Sequence, residues 1–500
     1  MANRDRLSGL DAAFLHLESG GAHMHVAAVF VFDGAAPPYE ELVQAIEARL
    51  HVVPRYRQKL AHVPLGQGRP EWVDDPHFNA RYHVRHSALP APGGDAALER
   101  IAARLFALPL DRTKPLWEMN LVEGLASGPD GTERFAVISK THHALVDGVS
   151  GVDITSVLFD TSPDPAGRPE PERPWTPRPE PSGAQLLARA LADRAAAPAG
   201  LVRAARGVAR APRETAERAV RGAAGLGAMA RAGLRPAPAS PLNVPIGPHR
   251  RYAWVDADLA TFKAIKDALG GTLNDAVLAG VTLALGRWLR GRGHDTEGLV
   301  LKAMVPVSVR AEAERGALGN RVAAMWAPLP VGIEDPRAIY AAVHREMAGL
   351  KESGQAVGAH ALTRLADFAP PTIMSQAARL QARQRYFNLV VTNVPGPQAP
   401  LYLLGRELRA IYPVVPLARN QALGVATMSY NGRLGFGLLA DYDALPDLAD
   451  VQAALREAIG QLARAAGAPE PAASGADGTR PAAAGGNARR PRRAARATGG

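Results

Sequence analysis

Two adjacent histidines, His142 and His143, follow an apolar, β-branched run (Phe135 to Ile138) that predicts a buried strand. A histidine at a strand-to-helix junction faces a cleft, and because imidazole titrates near neutral pH it can take the proton of a hydroxyl group. Asp147 stands four residues after His143, where a helix is predicted to open, and it can turn back to orient the imidazole or its loop. The spacing therefore indicates general-base chemistry on a hydroxyl group.

Two other interpretations of this string stay open. Asp147, just before a helix, is also a residue type expected at an N-cap. Histidine pairs also bind metal ions. Adjacent side chains diverge, however, and the chain offers no neighbouring HExxH-type ligand set, so we predict no metal at this site.

Length and composition predict a protein with two domains. Five hundred residues exceed what one core usually supports, and 47% of them are hydrophobic. The absence of cysteine excludes disulfides, thiolate metal sites and a nucleophilic cysteine. There is no signal-peptide core near the N-terminus and no run of eighteen apolar residues, so a cytoplasmic protein is expected.

The formal net charge of +10 is concentrated in two segments. Residues 183–235 contain ten arginines against three acidic residues, and residues 480–500 contain six arginines and no acid. Such segments attract anionic surfaces, including a membrane leaflet or a phospholipid-coated droplet. Aromatic residues are only 5% of the chain and none is interleaved with these arginines, so nucleic acid is not predicted as a partner.

Strand-like and helix-like segments alternate along the chain, which predicts an α/β fold. The proline-rich residues 161–181 separate two halves, and the Ala- and Arg-rich residues 184–232 follow. This second segment predicts short helices that either pack on the body or lie in a membrane interface. In the second half, Asn431-Gly432 predicts a tight hairpin, and a helix is expected over 448–465.

Two positions have both a packing and a functional interpretation. Pro115 places Trp117 at the start of a strand, where its ring is either core or the wall of an acyl-chain pocket. Thr272 or Asn274 is the expected cap of a long helix. The free amides of a helix N-terminus can also stabilise an oxyanion, so Asn274 is retained as a site residue.

The string from His142 to Gly148 resembles the HHxxxDG signature of the coenzyme A-dependent acyltransferase superfamily. Further stretches narrow this to a resemblance to the bacterial wax ester synthase/acyl-CoA:diacylglycerol acyltransferase family. They are Leu7–Asp11 with Phe14, Leu15 and Glu18, then Pro115–Glu118, Asn274-Asp275, Val305–Arg310 and Thr392–Pro397. Each stretch is short and carries little information alone. Their order along the chain is what makes the resemblance to this family specific.

The resemblance implies a two-domain, chloramphenicol acetyltransferase-like fold with mixed sheets and an active-site channel between the domains. We expect residues 1–160 to form the N-terminal domain that carries the motif, and residues 241–466 to form the C-terminal domain. Residues 161–240 would hold the linker and the Ala/Arg-rich helices. Residues 467–500 have the composition of a disordered basic tail.

The resemblance also implies roles for individual residues. His143 would be the general base, His142 would support its loop, and Asp147 would orient the base. Arg310, at the end of a strand, would pair with Asp147. The substrate-binding residues implied are Gly148, Trp117, Asn274 and Asn393.

The implied reaction moves a long-chain acyl group from acyl-CoA to an alcohol, with no cofactor and no acyl-enzyme. The acceptor we predict is diacylglycerol, which gives triacylglycerol; a long-chain fatty alcohol, which gives a wax ester, is the alternative. The enzyme would contact the inner membrane or lipid droplets peripherally. A hypothesis of another class is a non-catalytic lipid-droplet coat protein, which would not need a base in a cleft.

Overall fold

The computed structural model describes residues 5–18, 20–146, 158–164, 174–193, 195, 236–308, 322–352 and 386–468. The N-terminal half contains five labelled helices and six strands. They are α1 (Gly9–Leu17), β1 (His25–Asp33), α2 (Tyr39–Arg49), β2 (Gln58–Ala61), β3 (Glu71–Asp74), α3 (Ala80–His83), β4 (Val84–Ala88), α4 (Asp95–Ala107), β5 (Trp117–Leu125), β6 (Arg134–His142) and α5 (His143–Val146).

The C-terminal half alternates strands and helices in the same way. Its elements are β7 (Arg250–Asp258), α6 (Leu259–Leu269), α7 (Leu273–Gly291), β8 (Val300–Ser308), β9 (Val322–Pro330), α8 (Pro336–Glu352), β10 (Leu389–Pro395), β11 (Tyr402–Leu403), β12 (Arg406–Val414), β13 (Leu423–Tyr430), β14 (Arg433–Asp441) and α9 (Leu448–Ala466). The predicted hairpin is present, since Asn431 and Gly432 both have positive φ between β13 and β14.

Two six-stranded mixed sheets form the framework, which confirms the predicted α/β class. The first has the order β11-β12-β1-β6-β5-β4 and the second β7-β14-β13-β10-β8-β9. In the first, β4 and β5 are parallel; in the second, β10 is parallel to both β13 and β8. Strand β6 is buried from its second residue to its end, as expected for an apolar strand covered on both faces.

The chain crosses between the two sheets, which the predicted domain boundaries did not anticipate. Strand β12 pairs antiparallel with β1, with Ala27 opposite Val414, so residues 402–414 belong to the first sheet. The predicted range of the C-terminal domain, 241–466, therefore includes strands that belong to the first sheet. Burial of apolar faces decides which sheet a strand joins, and proximity along the chain does not.

The segment after the linker packs on the N-terminal half as far as the structure describes it. Residues 183–193 are helical, and Leu186 and Ala190 are buried against Ala61, Val63 and Val73. For these residues the packing interpretation is confirmed; residues 196–235 lie outside the described part. No single helix among the described residues has the length and hydropathy of a membrane span, and α6 with α7 meets the criterion only as a pair bent by 98°.

The two halves also meet through a buried carboxylate. Glu99, on α4, accepts hydrogen bonds from the Trp254 amide on β7 (3.2 Å) and from the Gln452 side chain on α9 (3.1 Å). Burial raises the pKa of Glu99 to about 7, despite these hydrogen bonds and the nearby Arg456. The contact between the halves therefore includes a group that titrates near neutral pH.

Replacing Glu99 with glutamine should change how stability depends on pH. Because the pKa of Glu99 is raised in the folded chain, the folded state binds more protons than the unfolded state between about pH 4.5 and 7. The stability it contributes is present at low pH and is lost as the pH rises through about 7. We expect the unfolding free energy of Glu99→Gln, relative to wild type, to rise by up to about 3 kcal/mol between pH 4.5 and 8.

Urea unfolding at both pH values measures this difference. The matched control is Glu133→Gln, which makes the same change at an exposed position. A wild-type-to-variant difference that is equal at the two pH values would contradict the assignment of a raised pKa to Glu99.

Candidate active site

The histidine pair lies where β6 ends and α5 begins. His142 is the last residue of β6, and its amide donates to the Leu116 carbonyl (2.9 Å). His143 is the first residue of α5, and its amide donates to the Met24 carbonyl (2.8 Å). The helix was predicted to open at Asp147 and instead begins at His143. Both backbones are thus tied to neighbouring segments.

The His142 ring is held inside the protein. Its side chain is 1% exposed, and its Nδ1 accepts a hydrogen bond from the Ala144 amide (3.0 Å). Since an amide can only donate, the ring proton of neutral His142 lies on Nε2, which is 3.3 Å from Glu18 Oε1. The Nδ1 lone pair is already used, so this arrangement does not present His142 as a base.

The His143 ring is half-buried and keeps some exposed surface. It stacks on Phe14 of α1, with ring centroids 4.0 Å apart and an interplanar angle of 25°. Stacking on one face restricts the rotation of the imidazole. His143 is therefore the more exposed member of the pair, in an orientation set by Phe14.

Glu18, at the C-terminal end of α1, is the buried carboxylate beside the pair. Its Oε1 accepts the Met24 amide (2.7 Å), and its Oε2 accepts a hydrogen bond from Arg112. Burial alone would raise the pKa of Glu18, but the close contact with His142 and the hydrogen bond from Arg112 outweigh it and lower the pKa. Glu18 therefore stays ionised at working pH.

Two further histidines, His23 and His25, lie beside Glu18, near the contact between the N-terminal and C-terminal halves of the chain. His25 on β1 lies 3.7 Å from Glu18 Oε1, and its ring is 5.2 Å from that of His23. Burial, more than nearby positive charge, lowers the pKa of His25, and burial also lowers the pKa of His23. Both rings are thus neutral at pH 7. The signal for them in the sequence was their spacing of two residues at a strand start, which places both on one face.

A small cavity of about 10 Å³ adjoins this cluster where the two sheets meet. Its lining comes from both halves: His23, His25, Ala27, Phe106, Arg250, Val414, Pro416, Leu417 and Leu439. Within the described residues it is a narrow crevice just large enough for one water molecule. Residues 147–157, which follow the motif, lie outside that part of the chain.

Glu18, His23 and His25 also have the composition of a metal site, with ligand atoms within 4.8 Å of one another. The surroundings do not suit a dication. Burial is the main cause that lowers the pKa of His23; the charge of Glu18 raises it, and the positive charges of Arg250, Lys140 and Arg112 lower it further. These three cations would also repel a metal ion. The oxygens of Glu18 already accept hydrogen bonds. This cluster does not fit a metal.

The predicted substrate-binding residues lie in different environments. Asn274 is half-buried in the first turn of α7, and the cap of that helix is Thr272, which forms a capping box with Asp275. Asp275 also lies 2.9 Å from Nδ1 of His344. Asn393 is half-buried on β10, opposite Thr427 of β13.

Trp117 belongs to the core in this structure. It has no exposed surface, its Nε1 donates to the Tyr56 carbonyl (2.8 Å), and its ring stacks on His83 with centroids 4.6 Å apart. In this structure Trp117 has the environment of a core residue, and its assignment to substrate binding stays a prediction. Three other predicted residues, Asp147, Gly148 and Arg310, lie outside the described part, and the Asp147–Arg310 pair stays a prediction.

Two family models together match most of the chain. The wax ester synthase/diacylglycerol acyltransferase catalytic domain matches residues 7–277, and the C-terminal domain of the same family matches residues 318–463. Two relatives from Mycobacterium tuberculosis H37Rv are named as diacylglycerol O-acyltransferases. One is 35% identical over 470 residues, with 92% of this chain and 90% of the relative covered. The other is 34% identical over 472 residues, with 92% and 96% covered.

Solved structures with the same architecture include acyltransferases of two kinds. A wax ester synthase/diacylglycerol acyltransferase from Marinobacter aquaeolei VT8 has a TM-score of 0.64 and 27% identity, covering 92% of this chain and all of that one. A trichothecene 15-O-acetyltransferase from Fusarium sporotrichioides has a TM-score of 0.57 and 12% identity, covering 92% and 94%. The latter shares the fold alone. The predicted fold class is confirmed.

Removal of divalent metal ions should leave the protein unchanged, because the cations around Glu18, His23 and His25 disfavour a dication. We expect dialysis against EDTA to shift the thermal midpoint by less than about 1 °C, whereas loss of a structural metal removes folding free energy outright. Elemental analysis of the purified protein is the second measurement. One equivalent of zinc, lost in His23→Ala, would contradict the expectation.

Proposed function

The chain belongs to the wax ester synthase/diacylglycerol acyltransferase family, and from that premise we propose that it transfers a long-chain acyl group from acyl-CoA to diacylglycerol, giving triacylglycerol. Family membership makes the chain an acyltransferase. The observation that supports a general-base mechanism is the arrangement of the histidine pair. His142 is buried with its Nδ1 lone pair used, whereas His143 is more exposed and stacked on Phe14.

In the proposed reaction His143 takes the proton of the acceptor hydroxyl while that oxygen attacks the thioester carbonyl carbon. The tetrahedral intermediate collapses with cleavage of the carbon–sulfur bond, and the CoA thiolate leaves with the proton from the imidazolium. The products are an ester and free CoA, and no cofactor or acyl-enzyme is required. Base catalysis supplies about 10² to 10⁴ in rate, and holding both substrates with stabilisation of the oxyanion supplies the rest.

Other residues take supporting roles in this proposal. Asn274, in the first turn of α7, would lie on the substrate side, where helix amides favour a developing negative charge. Asn393 would line the path of one substrate. Asp147, Gly148 and Arg310 keep the roles that the family motif implies, with Asp147 and Arg310 paired beside the histidine loop.

A second acceptor, a long-chain fatty alcohol, has a specific observation in its favour. The Marinobacter relative is named for both wax ester synthesis and diacylglycerol acylation, and it is 27% identical to this chain. The two mycobacterial relatives, at 34% and 35% identity, are named for diacylglycerol acylation alone. The higher identity favours diacylglycerol.

His143→Ala should abolish ester formation, with a loss of at least about 10²-fold in kcat, because no other group would take the hydroxyl proton. Purified protein is incubated with palmitoyl-CoA and either dipalmitoylglycerol or hexadecanol, and free thiol and ester are both measured. His86→Ala, at an exposed histidine paired with Glu123, is the control and should retain activity.

Each outcome of that assay has a distinct meaning. Ester formation that survives His143→Ala would refute His143 as the base. Ester from hexadecanol but not from dipalmitoylglycerol would identify a wax ester synthase. Wild-type protein that forms no ester with either alcohol would favour the lipid-droplet coat hypothesis.

We also propose peripheral contact with an anionic lipid surface through residues 196–235, which contain eight arginines and two acidic residues. The preceding segment, 183–193, is already packed on the N-terminal half, so its deletion would damage that core.

Replacing the eight arginines with glutamine should reduce cosedimentation with phosphatidylglycerol vesicles at 0.1 M salt by at least about tenfold. The control replaces the six arginines of residues 480–500; equal partitioning of wild type and the eight-fold variant would contradict the proposal.

A further inference from the structure

Helix α1 presents two side chains, one turn apart, to the two histidines. Phe14 stacks on the His143 ring at 4.0 Å, and Glu18, which follows the last turn, faces Nε2 of His142 at 3.3 Å. Residues separated by four positions lie on the same face of a helix. One helix face therefore contacts both imidazoles of the motif.

Glu18 is connected to the His143 backbone by two separate routes. In the first, its Oε1 accepts the Met24 amide (2.7 Å), and the Met24 carbonyl accepts the His143 amide (2.8 Å). In the second, Glu18 faces the Nε2 proton of His142, whose Nδ1 accepts the Ala144 amide (3.0 Å). Both routes end at the first turn of α5, where His143 lies.

Only a carboxylate can serve all the donors that converge on this position. Its two oxygens face the Met24 amide, the Nε2 proton of His142 and the Arg112 guanidinium. Arg112 also donates to the Leu15 carbonyl (3.1 Å), so it is held against the end of α1. A glutamine has a single carbonyl oxygen, and its amide hydrogens would oppose one of these donors.

We propose that Glu18 is a positioning carboxylate for the two motif histidines: it fixes the His142 ring and the turn that carries His143, so that the His143 imidazole is held in one orientation against Phe14. Glu18 does not touch the reacting atoms in this role. This inference rests on the proposed function only for its kinetic consequence. The carboxylate that serves the histidines in the described structure comes from α1, outside the motif string.

The kinetic test compares Glu18→Gln and Glu18→Asp with wild type. Misplacement of a base by about 1 Å costs on the order of 10²-fold, so Glu18→Gln should lower kcat by about that factor, with KM for palmitoyl-CoA within about twofold. Glu18→Asp keeps the charge and should recover part of kcat. The matched control is Glu71→Gln, since Glu71 is another buried glutamate, paired with Arg6 and Arg189, and this variant should lose stability without losing kcat.

A second readout does not depend on any acceptor. Diethyl pyrocarbonate modifies neutral imidazole, and mass spectrometry of the peptide locates the modified ring. His142 is buried with both nitrogens facing partners, so it should resist modification in wild type and in Glu71→Gln. In Glu18→Gln it should react at least about tenfold faster, because the turn opens more readily.

Two results would overturn the proposal. One is a His142 modification rate in Glu18→Gln equal to that of the wild type. The other is a kcat of Glu18→Gln within about twofold of the Glu71→Gln value. If the wild type forms no ester from either alcohol, the acyltransferase assignment fails, and the modification rates still decide whether Glu18 positions the histidine pair.

Discussion

The site depends on the divergence of two adjacent side chains at the end of a strand. His142 ends the buried strand β6 and His143 begins α5, so the two side chains diverge where the strand gives way to the helix. In this structure His142 is 1% exposed and faces Glu18, whereas His143 begins a helix and stays half-buried against Phe14. One imidazole becomes part of the framework and the other remains available for chemistry. The contacts of His142 with Glu18 and of His143 with Phe14 maintain this difference in exposure between the two rings.

Burial and nearby positive charge together lower the pKa of His23 and His25. Lys140 on β6 donates to the carbonyls of Leu105 (3.0 Å) and Leu108 (2.9 Å) at the end of α4, and it pairs with Glu118 at 3.4 Å. Burial lowers the pKa of Lys140 more than Glu118 raises it. The charge that Lys140 carries, with burial, lowers the pKa of His25. The neutral rings of His23 and His25 therefore lie beside an ionised Glu18.

Because β12 of the C-terminal half joins the first sheet, the histidine cluster lies where the two halves of the chain meet. Strand β1, which begins with His25, has β6 on one side and β12 on the other, and β12 arrives from the C-terminal half of the chain. Arg250 of β7 and Leu439 of β14 meet His23 and His25 at the small cavity. Because both halves supply its walls, the site requires the whole fold. The residues that surround the histidines come from distant parts of the sequence and not from the stretch near the motif.

Local features of the chain were predictable from sequence because they depend on nearby residues. Three such features reflect backbone preferences over a few positions. They are the apolar strand that ends at His142, the turn residues Asn431 and Gly432, and the helical spacing of apolar residues in α9. The order of the short motifs was also enough to indicate the family and its fold. The motif string alone predicted a histidine pair at the centre of the site.

Tertiary structure decided which residues support that pair. Glu18 precedes His142 by more than a hundred residues, and no periodicity relates the two. The burial of Trp117 against His83 came only with the fold, and residues 402–414 joined the first sheet despite their place in the chain. Sequence encodes local conformation through nearby side chains and backbone preferences, whereas these contacts depend on which apolar faces are buried together. Which apolar faces are buried together is decided only when the whole chain packs.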